Sequence, residues 1–153
     1  MFRISILVAS LSLGLLAGCG SDNPDSWNDL DQALGDDPTN GCDPNKEAYT
    51  DLRGESKVTI TANSPWVNMP TPHNACIGIR SGTEVTWEGD FGEHPLVGGE
   101  NGTEDSSSPI TLADATSGTD PVTITFNATV LTVEGYFCDV HKATMGGVIA
   151  VFP

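Results

Sequence analysis

The chain has 153 residues, with 21 Asp plus Glu against 6 Lys plus Arg, a formal charge of −15 and 38% hydrophobic content. That length holds one small domain and leaves no room for a second, catalytic one, and so acidic a chain repels phosphate backbones, which excludes nucleic-acid binding. With 17 Gly and 10 Pro it is not a helical bundle.

Residues 1–18 read as an export signal: Arg3 supplies the positive start, an apolar run extends from Ile4 to Leu16, and the small residues Ala17 and Gly18 follow. The run is too short for a membrane-spanning helix of about 20 residues. Leu16-Ala17-Gly18-Cys19 resembles the lipobox of bacterial lipoproteins, which implies a lipidated Cys19 at the mature N-terminus and membrane attachment through that lipid. The alternative is plain cleavage after Gly18. Gly20 after the Cys, in place of Asp, implies outer-membrane sorting, with the domain facing the periplasm or the cell surface.

Residues 19–41 carry six aspartates and no base among Ser, Asn, Pro and Gly, the pattern of a solvated, self-repelling tether. Within it Ser26 can cap a short helix whose Trp27, Leu30 and Leu34 share a face, with Asp29 in its first turn and Gly35 ending it.

Residues 42–153 form the expected domain, and there the apolar period is two. Val58, Ile60 and Ala62 alternate with Thr; Ile77 and Ile79 lead through a Ser81-Gly82 turn to Val85 and Trp87; Val122, Ile124 and Phe126 alternate again; Val148 to Phe152 closes the chain. These spacings predict an all-β sandwich or Greek-key barrel with no helix after Gly41. Gly98 to Ser108, rich in Gly, Glu and Ser, reads as an exposed loop.

An exported chain meets an oxidising compartment, where unpaired thiols need a reason to exist. With Cys19 assigned to the lipid, a Cys42–Cys76 bridge would stabilise by about 4 kcal/mol in the chain-entropy model; the alternative is two separate buried thiols. Cys138 is then the odd cysteine, a metal ligand or a reactive thiol. Cys138, His141 and Met145 lie within eight residues. Thiolate, imidazole and thioether form a soft donor set that suits copper, while hard cations want carboxylates. The second imidazole must come from His73 or His94, and His94 follows a strand end whose loop can face Cys138. Two His and one Cys with a long axial Met is a blue-copper arrangement. Zinc is the chief competitor, its fourth ligand being Asp139 or Glu93.

From about Glu55 to Pro153 the sequence resembles the cupredoxins of the plastocyanin, amicyanin and halocyanin type. The carriers are Gly82-Thr83-Glu84-Val85-Thr86-Trp87 ahead of His94, then Tyr136-Phe137-Cys138-x2-His141-x3-Met145-x-Gly147-x-Ile149-x-Val151. The resemblance implies an eight-stranded Greek-key barrel, His94, Cys138 and His141 as strong copper ligands and Met145 as the weak axial one, with His73 a surface residue. It also implies docking of partners on an apolar patch around His141, with Pro95, Leu96, Val140 and Gly146 as members.

Three features depart from that pattern. The gap between His141 and Met145 lies between the shorter and longer ligand loops of those relatives. Pro95 stands where they carry Asn, whose backbone N–H supports the Cys sulfur; Pro has no N–H to give, which leaves more charge on sulfur and lowers the potential. Phe137 replaces the Tyr that precedes the ligand Cys in plastocyanins.

The expected function is a one-electron shuttle and not an enzyme, a monomer whose Glu88, Asp90 and Glu93 steer a basic redox partner such as a c-type cytochrome; the plainer role of those acids is solubility. Two rivals use the same residues differently: a copper-binding lipoprotein that buffers or delivers the metal, and a structural surface sandwich that binds none. The Asn101-Gly102-Thr103 and Asn127-Ala128-Thr129 sequons are read as idle.

Overall fold

The computed structural model describes residues 26–61, 76–113 and 115–153; Cys19, Ala62 and His73 lie outside them. Nine strands are present among the described residues. They are β1 Thr50–Asp51, β2 Lys57–Thr61, β3 Cys76–Arg80, β4 Glu84–Glu88, β5 Leu96–Glu100, β6 Thr103–Glu104, β7 Val122–Thr125, β8 Thr132–Cys138 and β9 Lys142–Phe152. Two sheets result, β1-β3-β9-β8-β5-β6 and β2-β4-β7. Both are mixed: β2 with β4 and β3 with β9 run parallel, whereas β4 with β7, β5 with β8 and β8 with β9 run antiparallel. The protein is therefore mostly β, with two sheets that do not close into one barrel.

Alternation explains the packing. Ile77 and Ile79 of β3, Tyr136 and Cys138 of β8, and Ile149 and Val151 of β9 turn one way and meet Ile60, Val85, Trp87 and Phe126 in a single apolar cluster. Trp87 anchors it, edge-on to Tyr136 at 5.5 Å and tilted against Phe126 at 6.2 Å. Burial holds the Tyr136 hydroxyl well above the ordinary phenol range.

The opposite face of the large sheet is not solvated. Val148, Ala150 and Phe152 join Leu30, Cys42, Tyr49 and Cys76 in a second cluster, flanked by Trp27, Leu34, Leu131 and Val133. The helix expected near Ser26 supplies that cover. Ser26 caps a 3-10 turn, Trp27–Asp29, by accepting from Asn28 N, and the turn runs into α1, Leu30–Leu34, ended by Gly35 at φ 73°. Leu30 is fully buried, and Trp27 stacks on Phe152 at 5.4 Å. The second half of the expected tether is thus part of the domain, because its three apolar residues share one face and the sheet offers an apolar partner. Cys42 and Cys76 are bonded, which fastens this segment to the edge of β3.

Two further expectations are corrected. Gly98 to Ser108 is a loop only in its last four residues: β5 and β6 form a hairpin turning at Asn101-Gly102, and residues 105–108 follow it outside any strand. A helix does follow Gly41, namely α2, Pro109–Leu112, with Ser108 as N-cap and Pro109 in its first turn.

Candidate metal centre

Three connections at one end of the large sheet bring the site together. The first precedes β5. Asp90 Oδ1 accepts from Gly92 N and Glu93 N at 2.9 and 3.3 Å, and the Asp90 carbonyl accepts from His94 N at 2.9 Å, so the acid folds the turn that presents His94. The buried Phe91 pins that turn to the core. The second is the end of β8, where Cys138 pairs with both Leu96 and Lys142. The Pro95 carbonyl accepts from Asp139 N at 2.9 Å, joining the His94 loop to the Cys138 loop. The third is the turn into β9. His141 O accepts from Thr144 N at 3.1 Å and Thr144 Oγ1 at 2.7 Å, with Lys142 at φ 48° between them.

The β8–β9 ladder explains how Met145 turns inward. Phe137 pairs with Gly146 and Cys138 with Lys142, so residues 143–145 are extra on the β9 side. Met145, 1% exposed, enters the same apolar cluster as Cys138.

These connections bring His94, Cys138 and His141 into one group whose ligand atoms lie within 4.8 Å of one another. His94 Nδ1 and His141 Nδ1 are 3.2 Å apart, and Cys138 Sγ stands 3.3 Å from His141 Nδ1 and 3.8 Å from His94 Nδ1. A triangle with those sides has its centre about 2.0 Å from each corner, the length of a metal–imidazole bond and a little short of a metal–thiolate bond of about 2.3 Å. The residues therefore fit a metal ion. Cys138 is fully buried, His94 partly exposed and His141 exposed.

No carboxylate belongs to this group among the described residues. Asp139 is instead ion-paired with Lys142, and Glu93 is exposed in its turn. The expected docking residues divide. Val140, 62% exposed, and Pro95 reach the surface beside His141, but Leu96 is 1% exposed in the core and Gly146 is buried against Tyr136 and Phe137. Leu96 and Gly146 are thus not surface members: the Leu96 side chain enters the core cluster, and Gly146 is packed against Tyr136 and Phe137 of β8. Sequence reasoning assigned Asp90 to the surface charge and passed over Thr144. The Asp-x-Gly spacing at Asp90 is an Asx-turn signal that could have found the first.

No family model, curated protein or solved structure matches the chain.

Proposed function

We propose that the protein is an exported type 1 copper electron-transfer protein with a cupredoxin-like Greek-key fold. The observation that carries this reading is the convergence of His94 Nδ1, Cys138 Sγ and His141 Nδ1 at one end of a β domain, with Met145 buried in the same apolar cluster. When bound, copper supplies a one-electron couple. The chain's own part is to hold it: the Asp90 turn fixes His94, the Thr144 bonds fix His141, and the core around Cys138 keeps water from the thiolate. Rigid donors limit rearrangement between the two charge states. A soft thioether nearby, with no carboxylate in the group, favours copper over zinc.

The exposed His141 and Val140 are the proposed exit toward a partner, and the acidic surface suits a basic one such as a c-type cytochrome. The Cys42–Cys76 bond supports an oxidising compartment, in keeping with export and lipid attachment at Cys19.

The test adds one equivalent of Cu(II) to the full-length protein with its disulfide intact. The expected result is an intense blue band with narrow copper hyperfine splitting in EPR, both lost in Cys138→Ser. A colourless, weakly binding protein unchanged by that substitution would overturn the reading and leave zinc binding or a structural role. Blue copper that leaves readily on reduction would favour delivery over electron transfer.

A further inference from the structure

Asn40 is 2% exposed, a polar side chain buried on the outer face of the large sheet. Its Nδ2 donates to Gly99 O at 2.8 Å and to Gly147 O at 3.1 Å. Gly135 lies between these positions: Gly98 pairs with Tyr136, and Tyr136 with Gly147. A Cβ on Gly135 would run into Gly99 O and sit 2.8 Å from Asn40 Nδ2. Gly135 on the middle strand thus leaves the space that the Asn40 amide fills, and the two flanking strands each offer it a backbone carbonyl.

Those are the strands that carry the metal ligands. β5 begins two residues after His94, β8 ends on Cys138, and β9 leaves His141 and contains Met145. Gly135 is three residues from Cys138, and Gly147 is two from Met145. The two Asn40 bonds cross from β5 to β9 over the top of β8, so they resist the sliding and splaying that would separate the ligand loops. The ordinary ladder cannot do this at the bulge, where β8 and β9 lose register between Phe137 and Cys138.

We propose that Asn40 is a positioning residue of the metal centre, its side-chain amide tying β5 to β9 across β8 and so helping to set how firmly the ligands are held. This rests on the metal-binding reading of His94, Cys138 and His141. Groups that hydrogen-bond a metal's ligands directly typically cost about 10–100-fold in metal affinity when removed; Asn40 acts through the strands behind the ligands, so the low end of that range is expected.

The informative variants are made in the full-length protein. Asn40→Gly keeps the left-handed backbone, φ 49°, and removes the amide; Asn40→Asp keeps the acceptor for Asn101 and removes the donor. Trp27→Ala loosens the same segment at its other end, against Phe152, and is the control. Loss of Cu(II) to a chelator should be about tenfold faster in both Asn40 variants, with an altered hyperfine splitting, and little changed in Trp27→Ala even where the melting temperature falls as much. The metal-free proteins give a second readout: amide exchange across residues 96–99, 135–138 and 145–148 should rise in the Asn40 variants and not in Trp27→Ala. Equal copper release, or equal exchange, in the Asn40 and Trp27 variants would overturn the proposal. A wild-type protein that binds no copper would defeat the metal-binding reading, and the positioning role with it, whatever the exchange pattern shows.

Discussion

Asn40 and Asn101 hold each other reciprocally: Asn40 N donates to Asn101 Oδ1 at 2.9 Å, and Asn101 N donates to Asn40 Oδ1 at 2.6 Å. Each opens an Asn-Gly turn, with φ 49° at both asparagines and 80° and 83° at Gly41 and Gly102. Thr39 and Cys42 bridge across one turn, Glu100 and Thr103 across the other. Positive φ at both central positions marks the type I′ turn, which suits the twist of a two-residue hairpin. The two turns therefore serve as partners for one another's backbone.

Asn101→Ala should cost stability twice. An alanine held at positive φ costs about 1–2 kcal/mol, and the Asn40 N–H left without its acceptor costs about 1–3 kcal/mol more. Asn101→Gly removes the same side-chain bonds, the acceptor for Asn40 N and the weaker 3.3 Å donor to Pro38 O, but not the backbone preference, and should lose roughly half as much. Urea titration of both variants checks the order. Equal losses would place the whole effect in the side-chain bond and none in the backbone.

The Cys42–Cys76 bond closes a separation of 34 residues, for which the chain-entropy model gives about 4 kcal/mol. Replacing both cysteines with serine should lower stability by about 2–4 kcal/mol. The copper spectrum should stay unchanged, since both cysteines belong to the outer cluster and not to the one that holds Cys138. A bleached spectrum in the double variant would show that the bridge also shapes the site.

Glu134 of β8 lines a cleft with Glu100, Glu104 and Asp105. Burial, then repulsion from Asp105, raises its carboxyl above the ordinary value, and a bond from Ser108 opposes them. A folded-state value above the unfolded one means that the native state takes up the proton first. The penalty is absent below the unfolded value, builds as pH climbs to the folded one, and then stays constant. Glu134→Gln should accordingly raise the unfolding midpoint at neutral pH, with the gain vanishing in acid below the usual carboxylate range. Denaturant midpoints measured against pH for both proteins test this, and a gain that persists in acid would refute it.

Reduction by a basic c-type cytochrome should slow as ionic strength rises, because charges steer the encounter over a screening length of about 8–10 Å at ordinary salt. Stopped-flow rates that ignore salt would remove Glu88, Asp90 and Glu93 from any steering role.

The strand pairs Val58 and Ile60, Ile77 and Ile79, Val85 and Trp87, and Val122 and Ile124 were legible because in each a large apolar residue alternates with a polar or small one. The candidate ligands were legible because donor chemistry is carried by residue type: Cys138 and His141 lie three apart, and His94 was the histidine left with a suitable loop. The hairpin of β5 and β6 hides behind Gly98-Gly99-Glu100, which lacks branched and aromatic residues, although Asn101-Gly102 itself carries the turn signal. Segment 26–41 hides behind its aspartates, of which Asp31, Asp36 and Asp37 stay exposed while Trp27, Leu30 and Asn40 do the packing. The clasp of Asn40 across Gly99 and Gly147 depends on strands far apart in sequence, and no local pattern announces it.

Trp27 stacks on Phe152, at the opposite end of β9 from the ligands. From Gly146 to Phe152 the strand advances six residue steps, about 20 Å. With a lipid proposed at Cys19, seven residue steps separate it from Ser26, a span of at most about 25 Å, where a segment first attached at Cys42 would have allowed about 80 Å. Trp27 thus joins the domain at the end of β9 remote from His141. On the proposed lipid anchor and copper role, that placement would keep the domain close to the membrane and leave the exposed His141 facing the aqueous compartment.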